Sequence, residues 1–181
     1  TKLNIVFDAD SLTFFSYNQY KDLDENCRKL VDDAKDDAEK LYNIGISLIE
    51  GRKTFPINTE VGIQYLKKSI EKGFTKSAIY YCEMLIKGNI ILQDFKKATK
   101  IAENKLNDNE GYQSLILGKI EKKKQNFEKD FKLFVKSTQL GNIDAIFELG
   151  KMFYRDDGQT NNIDLAIAFF KRAIEKGSIK A

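Results

Sequence analysis

The chain has 181 residues, 42% hydrophobic and 31% charged, with a net charge of +3; this suits one compact soluble domain or a short solenoid, and the charge is too small to imply nucleic acid. It contains no histidine, which excludes His-based acid–base work, His metal ligation and Ser-His or Cys-His nucleophilic pairs within these residues. No run of about 18 apolar residues occurs, so no membrane span is expected.

Residues 1–35 read as an N-terminal arm with a capping helix or helices. The opening Leu3, Ile5, Val6 and Phe7 form a short apolar run before Asp8 and Asp10. That pair could hold a divalent metal at the end of a strand. The reading preferred here is an arm in which Asp10 or Ser11 caps a helix over LTFFSYNQYKDL, because no further strand follows to build a sheet. Asp22, Asp24 and Asn26 begin like a calcium loop, but Cys27 stands where such a loop turns on Gly. Asp24 is therefore expected to cap a helix carrying Cys27, Leu30, Val31 and Ala34 inward.

From Ala38 to Glu50 the spacing predicts a helix with Leu41, Ile44, Gly45 and Leu48 inward. A loop with the only proline, Pro56, follows, and Thr59 is expected to cap the next helix. Tyr81, Cys82 and Leu85 then face inward on a helix ended by Gly88. Ile90, Ile91 and Leu92 make an unusually apolar loop expected to fold onto the core. The connection KIEKKKQNFEKD carries Lys119, Lys122, Lys123, Lys124 and Lys129, either a solvated face or a mark of an anionic partner. No aromatics interleave with them, so no nucleic acid is expected. In the last stretch Ala145, Leu149, Gly150 and Phe153, then Ala166, Phe169, Phe170, Ala173 and Ile174, fall at helical spacing. Gly150 costs about 1 kcal/mol against Ala in mid-helix, so a close partner backbone is expected there, with the small Ala166 and Ala173 opposite.

These elements repeat. Helix-ending positions fall at Asp36, Gly73, Asn109, Gly141 and Gly177, in steps of 37, 36, 32 and 36 residues; Gly and Asn suit the left-handed cap. The small mid-helix residue reads Gly45, Cys82, Gly118 and Gly150, and the second helices begin their stripes at Gly62, Ala98, Asp130 and Ala166. The pattern Ala-x3-Leu-Gly-x2-aromatic, then Ala-x2-aromatic-aromatic-x2-Ala-Ala-x2-Gly, resembles the Sel-one-like repeat, a relative of the tetratricopeptide repeat. It is clearest at 141–177 and in the first unit; in the middle two units Cys82, Lys105, Gln113 and Asp130 replace expected small residues. The resemblance implies an all-α fold, a right-handed α-α superhelix of helix-turn-helix repeats over 36–72, 73–108, 109–140 and 141–177, that binds other proteins. The closing GSIKA has the spacing of a further first helix at 178–181, so the sequence reads as cut in mid-repeat.

No Gly-rich phosphate loop, nucleophile elbow or Cys-x2-Cys motif occurs. Asp32 with Asp33 and Asp156 with Asp157 read as helix-end or loop carboxylates. Neither catalytic, cofactor-binding nor metal-binding residues are expected, and the chain reads as non-enzymatic. Cys27 and Cys82 are too few for a disulfide framework and no Asn-x-Ser/Thr sequon is present, which points to the cytoplasm. If the pairs stack like tetratricopeptide repeats, positions three before, one after and four after the small residue line a concave face. These are Tyr42, Ile46 and Ile49; Ile79, Glu83 and Ile86; Leu115, Lys119 and Lys122; and Phe147, Lys151 and Tyr154. An apolar groove flanked by Lys119, Lys122 and Lys151 would take a partner helix or peptide of some acidic character; the alternative is that these side chains pack against the neighbouring repeat. Two further readings stand beside the scaffold: a regulatory array attached to an enzyme lying outside these residues, and self-association through an exposed repeat end.

Overall fold

Side chains that can close a helix's open N-terminus mark most element boundaries. In the computed structural model, which describes residues 14–154 and 162–178, there are ten helices. Ser16 forms a reciprocal capping box with Gln19 at the head of α1 (Tyr17–Asp22). Asp24 caps α2 (Glu25–Ala34) and Asp37 caps α3 (Ala38–Glu50). Asn58, and not Thr59, caps α4 (Thr59–Glu71); Thr59 already has helical geometry. The remaining elements are α5 (Thr75–Lys87), α6 (Phe95–Lys105), α7 (Tyr112–Lys123), α8 (Phe127–Gln139), α9 (Ile143–Tyr154) and α10 (Ile163–Glu175). Among the described residues there is no strand. The readings placed on Asp8, Asp10, Ser11, Asp156, Asp157 and the segment 179–181 lie outside the described residues.

Contacts gather the chain into two compact units, one up to Tyr81 and one from Cys82. In the N-terminal unit α3 lies on α4 and α2 on α3. Their core joins Cys27, Val31, Leu41, Leu48, Phe55 and Tyr65. Leu30, expected inward on α2, is 41% exposed instead. In the C-terminal unit the pairs α7 with α8 and α9 with α10 are joined in series by contacts of α6 with α7 and α8 with α9.

Left-handed residues end the helices, as Gly73, Gly141 and Gly177 do with φ of +83°, +89° and +93°. Two expected positions shift. Lys35, not Asp36, takes φ +41° after α2. Asn109 does not end a helix: α6 closes at Lys105 and the positive φ falls on Gly111, at +71°. Gln113, out of pattern in the sequence, donates from Nε2 to the carbonyls of Ala102 and Leu106 at 3.2 and 3.1 Å, satisfying the open end of α6. Ser69 and Ser137 occupy equivalent sites in α4 and α8. Each donates its hydroxyl to the carbonyl at the head of its partner helix, Ala38 at 2.6 Å and Gly111 at 2.7 Å.

Gly150 admits a ring and not a small-residue contact. A Cβ there would stand 2.7 Å from Cε1 of Phe170, while Ala166 and Ala173 are fully buried elsewhere on α10. The apolar loop after α5 does not fold onto the core either, since Leu92 is 91% exposed and Ile90 43%; Gln93 holds the loop by donating to the Ile86 carbonyl at 2.9 Å. Lys119, Lys122 and Lys123 belong to α7, leaving a connection of only three residues, 124–126, before α8.

Candidate functional site

In the C-terminal unit, α7, α9 and the last turns of α5 line a cleft of about 780 Å³. Six residues of the expected concave face come together in it: Glu83, Ile86, Lys119, Lys122, Phe147 and Lys151. The concave-face offsets did not include Lys87, Lys123, Gln125, Asp144 and Glu148, which complete the lining; of these, Lys123 was named only in the lysine-rich connection. Glu148 carried a usable signal, a lone carboxylate inside the apolar run IFELG three residues before Lys151.

Charge is arranged here in a definite order. Glu148 is 7% exposed and accepts from Lys122 at 3.0 Å and from Lys151 at 2.6 Å. Lys119 donates to Glu83 at 2.5 Å. Burial pushes the Glu148 carboxyl up, but the attraction of Lys122 and Lys151 outweighs it and holds it below its usual range. Burial likewise lowers the Lys151 ammonium, with Glu148 opposing. The Lys151 ammonium also stands 4.9 Å from the centre of the Phe147 ring. Five lysines thus face three carboxylates around the cleft. Lys87 and Lys123, both exposed, make no ion pair among the described residues.

The other expected residues are placed differently. Leu115 is 1% exposed in a core with Phe134, Ala145 and Leu149, and Tyr154 is 63% exposed. In the N-terminal unit, Ile49 is 6% exposed and sits 2.8 Å from where a Gly62 Cβ would be, so it fills the α3–α4 contact. Tyr42 is half-buried, its ring 5.3 Å from Phe74 and 6.4 Å from Tyr80. Ile46 and Ile79 are half-buried.

Nothing in these side chains resembles a reacting constellation. Among the described residues no group of three or more His, Cys, Asp or Glu gathers as a metal site. Asp24, considered as part of a calcium loop, accepts from the Cys27 amide at 2.7 Å and the Thr54 hydroxyl at 2.5 Å. Burial pushes the Cys82 thiol up to about 12, leaving it protonated and a poor nucleophile. No described helix is long and apolar enough to cross a membrane.

The Sel1 repeat family model matches residues 41–74 and 143–178. Among solved structures the chain is similar to a Sel1 repeat protein from Oxalobacter formigenes, with a TM-score of 0.58 and 14% identity over 82% of this chain and 62% of that one. It is also similar to c5321, a protective antigen present in uropathogenic Escherichia coli strains and displaying an SLR fold, with a TM-score of 0.57 and 18% identity over 82% of this chain and 32% of that one. The chain therefore spans less than two thirds of either protein. At these identities the likeness shows the fold, a helical solenoid. Comparison with curated protein sequences gave no match.

Proposed function

We propose that this chain, which the Sel1 repeat model matches at residues 41–74 and 143–178, is a helical-repeat scaffold that binds a partner protein in the cleft of α5, α7 and α9. The carrying observation is the lining: the half-buried Phe147 offers apolar surface, and lysines outnumber carboxylates around it. Lys119, Lys122 and Lys151 are already held by Glu83 and Glu148. Lys87 and Lys123 at the rim supply the cations for an incoming acidic segment, and an apolar side chain of that segment packs on Phe147.

Fluorescence anisotropy tests this with two labelled amphipathic peptides of equal hydrophobicity, one rich in Glu and one in Lys. The acidic peptide binds, and salt weakens it. Lys87→Glu with Lys123→Glu abolishes binding while the melting temperature stays unchanged. Equal binding of both peptides, or of neither, removes the reading.

A further inference from the structure

The loop between α5 and α6 is built to hold an apolar tip in water. Both of its ends are pinned to the last turns of α5. The Gly88 amide donates to the Met84 carbonyl and the Asp94 amide to the Leu85 carbonyl, each at 3.0 Å, and Gln93 reaches the Ile86 carbonyl at 2.9 Å. Gly88 has φ +68°, and a Cβ on it would stand 2.8 Å from that of Gln93, so the two ends close against each other. Between these anchors Leu92 is 91% exposed and Ile90 43%, with Ile91 half-buried. The loop between α3 and α4 turns its ring inward, with Phe55 4% exposed, and shows one Ile, Ile57, where this loop carries three aliphatic residues in a row.

Cations surround the tip. Lys87 precedes the loop and Lys96 and Lys97 follow it, all three exposed. The end of α7 comes against the start of α6, where the Lys124 ammonium stands 5.9 Å from the centre of the Phe95 ring, and it brings the exposed Lys123 with it. Two carboxylates lie among them and both are engaged. Asp94 caps α6, accepting from the Lys97 amide at 2.9 Å, and Glu121 accepts from Lys124 and Asn126, each at 3.1 Å. Lysines in a first turn oppose the helix dipole, and α6 has no acid there to offset them, so these two do nothing for the helix itself. A convex tip of three aliphatic side chains is too small for the roughly 800 Å² per partner of a stable protein interface. It fits a medium that needs no matching shape. Aliphatic side chains ringed by lysines match the two layers of an anionic bilayer surface, acyl chains beneath and charged headgroups above.

We propose that the α5–α6 loop docks this chain on an anionic lipid surface, Leu92 and Ile90 entering the acyl boundary while Lys96, Lys97, Lys123 and Lys124 meet the headgroups. The lysine stems lie along the apolar layer and the ammoniums stay at its edge. The inference rests on this loop and is independent of the acidic-peptide reading. Lys87 and Lys123 border both sites, so the variants that test it are made elsewhere.

The chain contains no Trp, so Leu92→Trp places a single reporter at the tip. Co-sedimentation of the 181-residue chain with vesicles is expected to show binding to phosphatidylcholine containing about 30% phosphatidylserine, weakened by salt, and little binding to phosphatidylcholine alone. On the mixed vesicles the Leu92→Trp emission shifts to the blue and is quenched by brominated acyl chains. Leu92→Ser lowers the partition coefficient roughly tenfold, and Lys96→Glu with Lys97→Glu lowers it by about as much or more. Both variants keep the wild-type melting temperature, since all three side chains are exposed. Leu92→Ser also keeps the affinity for the acidic peptide, so failure at the loop and failure at the cleft are read separately. A chain that ignores both kinds of vesicle overturns the proposal, as does equal binding to the two. Binding indifferent to Leu92→Ser, with unshifted emission from Leu92→Trp, overturns it as well, leaving adsorption by charge alone.

Discussion

The two units solve one packing problem differently. In the N-terminal unit the small residue of α3 meets the small residue of α4: a Cβ on Gly62 would stand 2.8 Å from the Gly45 carbonyl oxygen, and one on Gly45 would stand 3.0 Å from that of Gly62. Backbone touches backbone. In the C-terminal unit Gly118 and Gly150 instead receive the rings of Phe134 and Phe170, at 2.7 Å from the missing Cβ in both cases. The same Gly in the same helix thus serves two purposes, close approach of two helices or a seat for an aromatic ring. The units also differ in charge. The Lys68–Glu71 pair in the first leaves Glu71 exposed, whereas in the second Glu148 is buried beneath Lys122 and Lys151.

The largest effect is expected at Phe134, which is fully buried. Phe134→Ala empties the seat at Gly118 and costs about 3–5 kcal/mol in urea unfolding. Gly62→Ala follows at about 3 kcal/mol, because the added methyl meets backbone that cannot turn aside. A cost below about 1 kcal/mol would show that the backbone contact is not tight.

Glu148→Gln leaves Lys122 and Lys151 without their counter-charge and costs roughly 1–3 kcal/mol at neutral pH. The folded carboxyl lies below its ordinary range, so its contribution is complete above the unfolded value of about 4.3 and is lost as pH falls through the lowered folded value. Wild type and variant should therefore converge in acid. Lys72→Ala, in the exposed pair with Asp36, serves as the N-terminal counterpart and changes stability by less than about 0.5 kcal/mol.

Gly150→Ala is milder than Gly62→Ala, about 1 kcal/mol, since the half-buried Phe170 ring can swing and Ala recovers helix propensity. Adding Phe170→Leu should return part of the loss, which a double-mutant cycle would register as coupling. Smallest of all, a thiol reagent should leave Cys27 and Cys82 untouched in the folded chain and label both in denaturant, because both are buried.

Much of the fold was legible because caps and stripes are local. Asp24 and the stretch Ala38–Glu50 read directly from sequence, as did the glycines after α4, α8 and α10. The cleft was legible in part: the first-helix offsets include Glu83, Lys119, Lys122, Phe147 and Lys151 of its lining, while Leu115, Ile49 and Ile86, named by the same offsets, are buried, the packing that stood as the alternative. Offsets name a direction around one helix; how deep a residue lies depends on what covers that direction.

Periodicity, small residues and helix-ending glycines, all properties of neighbouring residues in the chain, were enough to determine an all-α array of paired helices. Three matters belonged to tertiary structure alone: that Gly150 seats Phe170, that Leu92 stays in solvent, and that Glu148 of α9 holds Lys122 of α7. Each depends on distances between side chains from separate helices, or between a loop and a core, and no spacing along one segment encodes those distances.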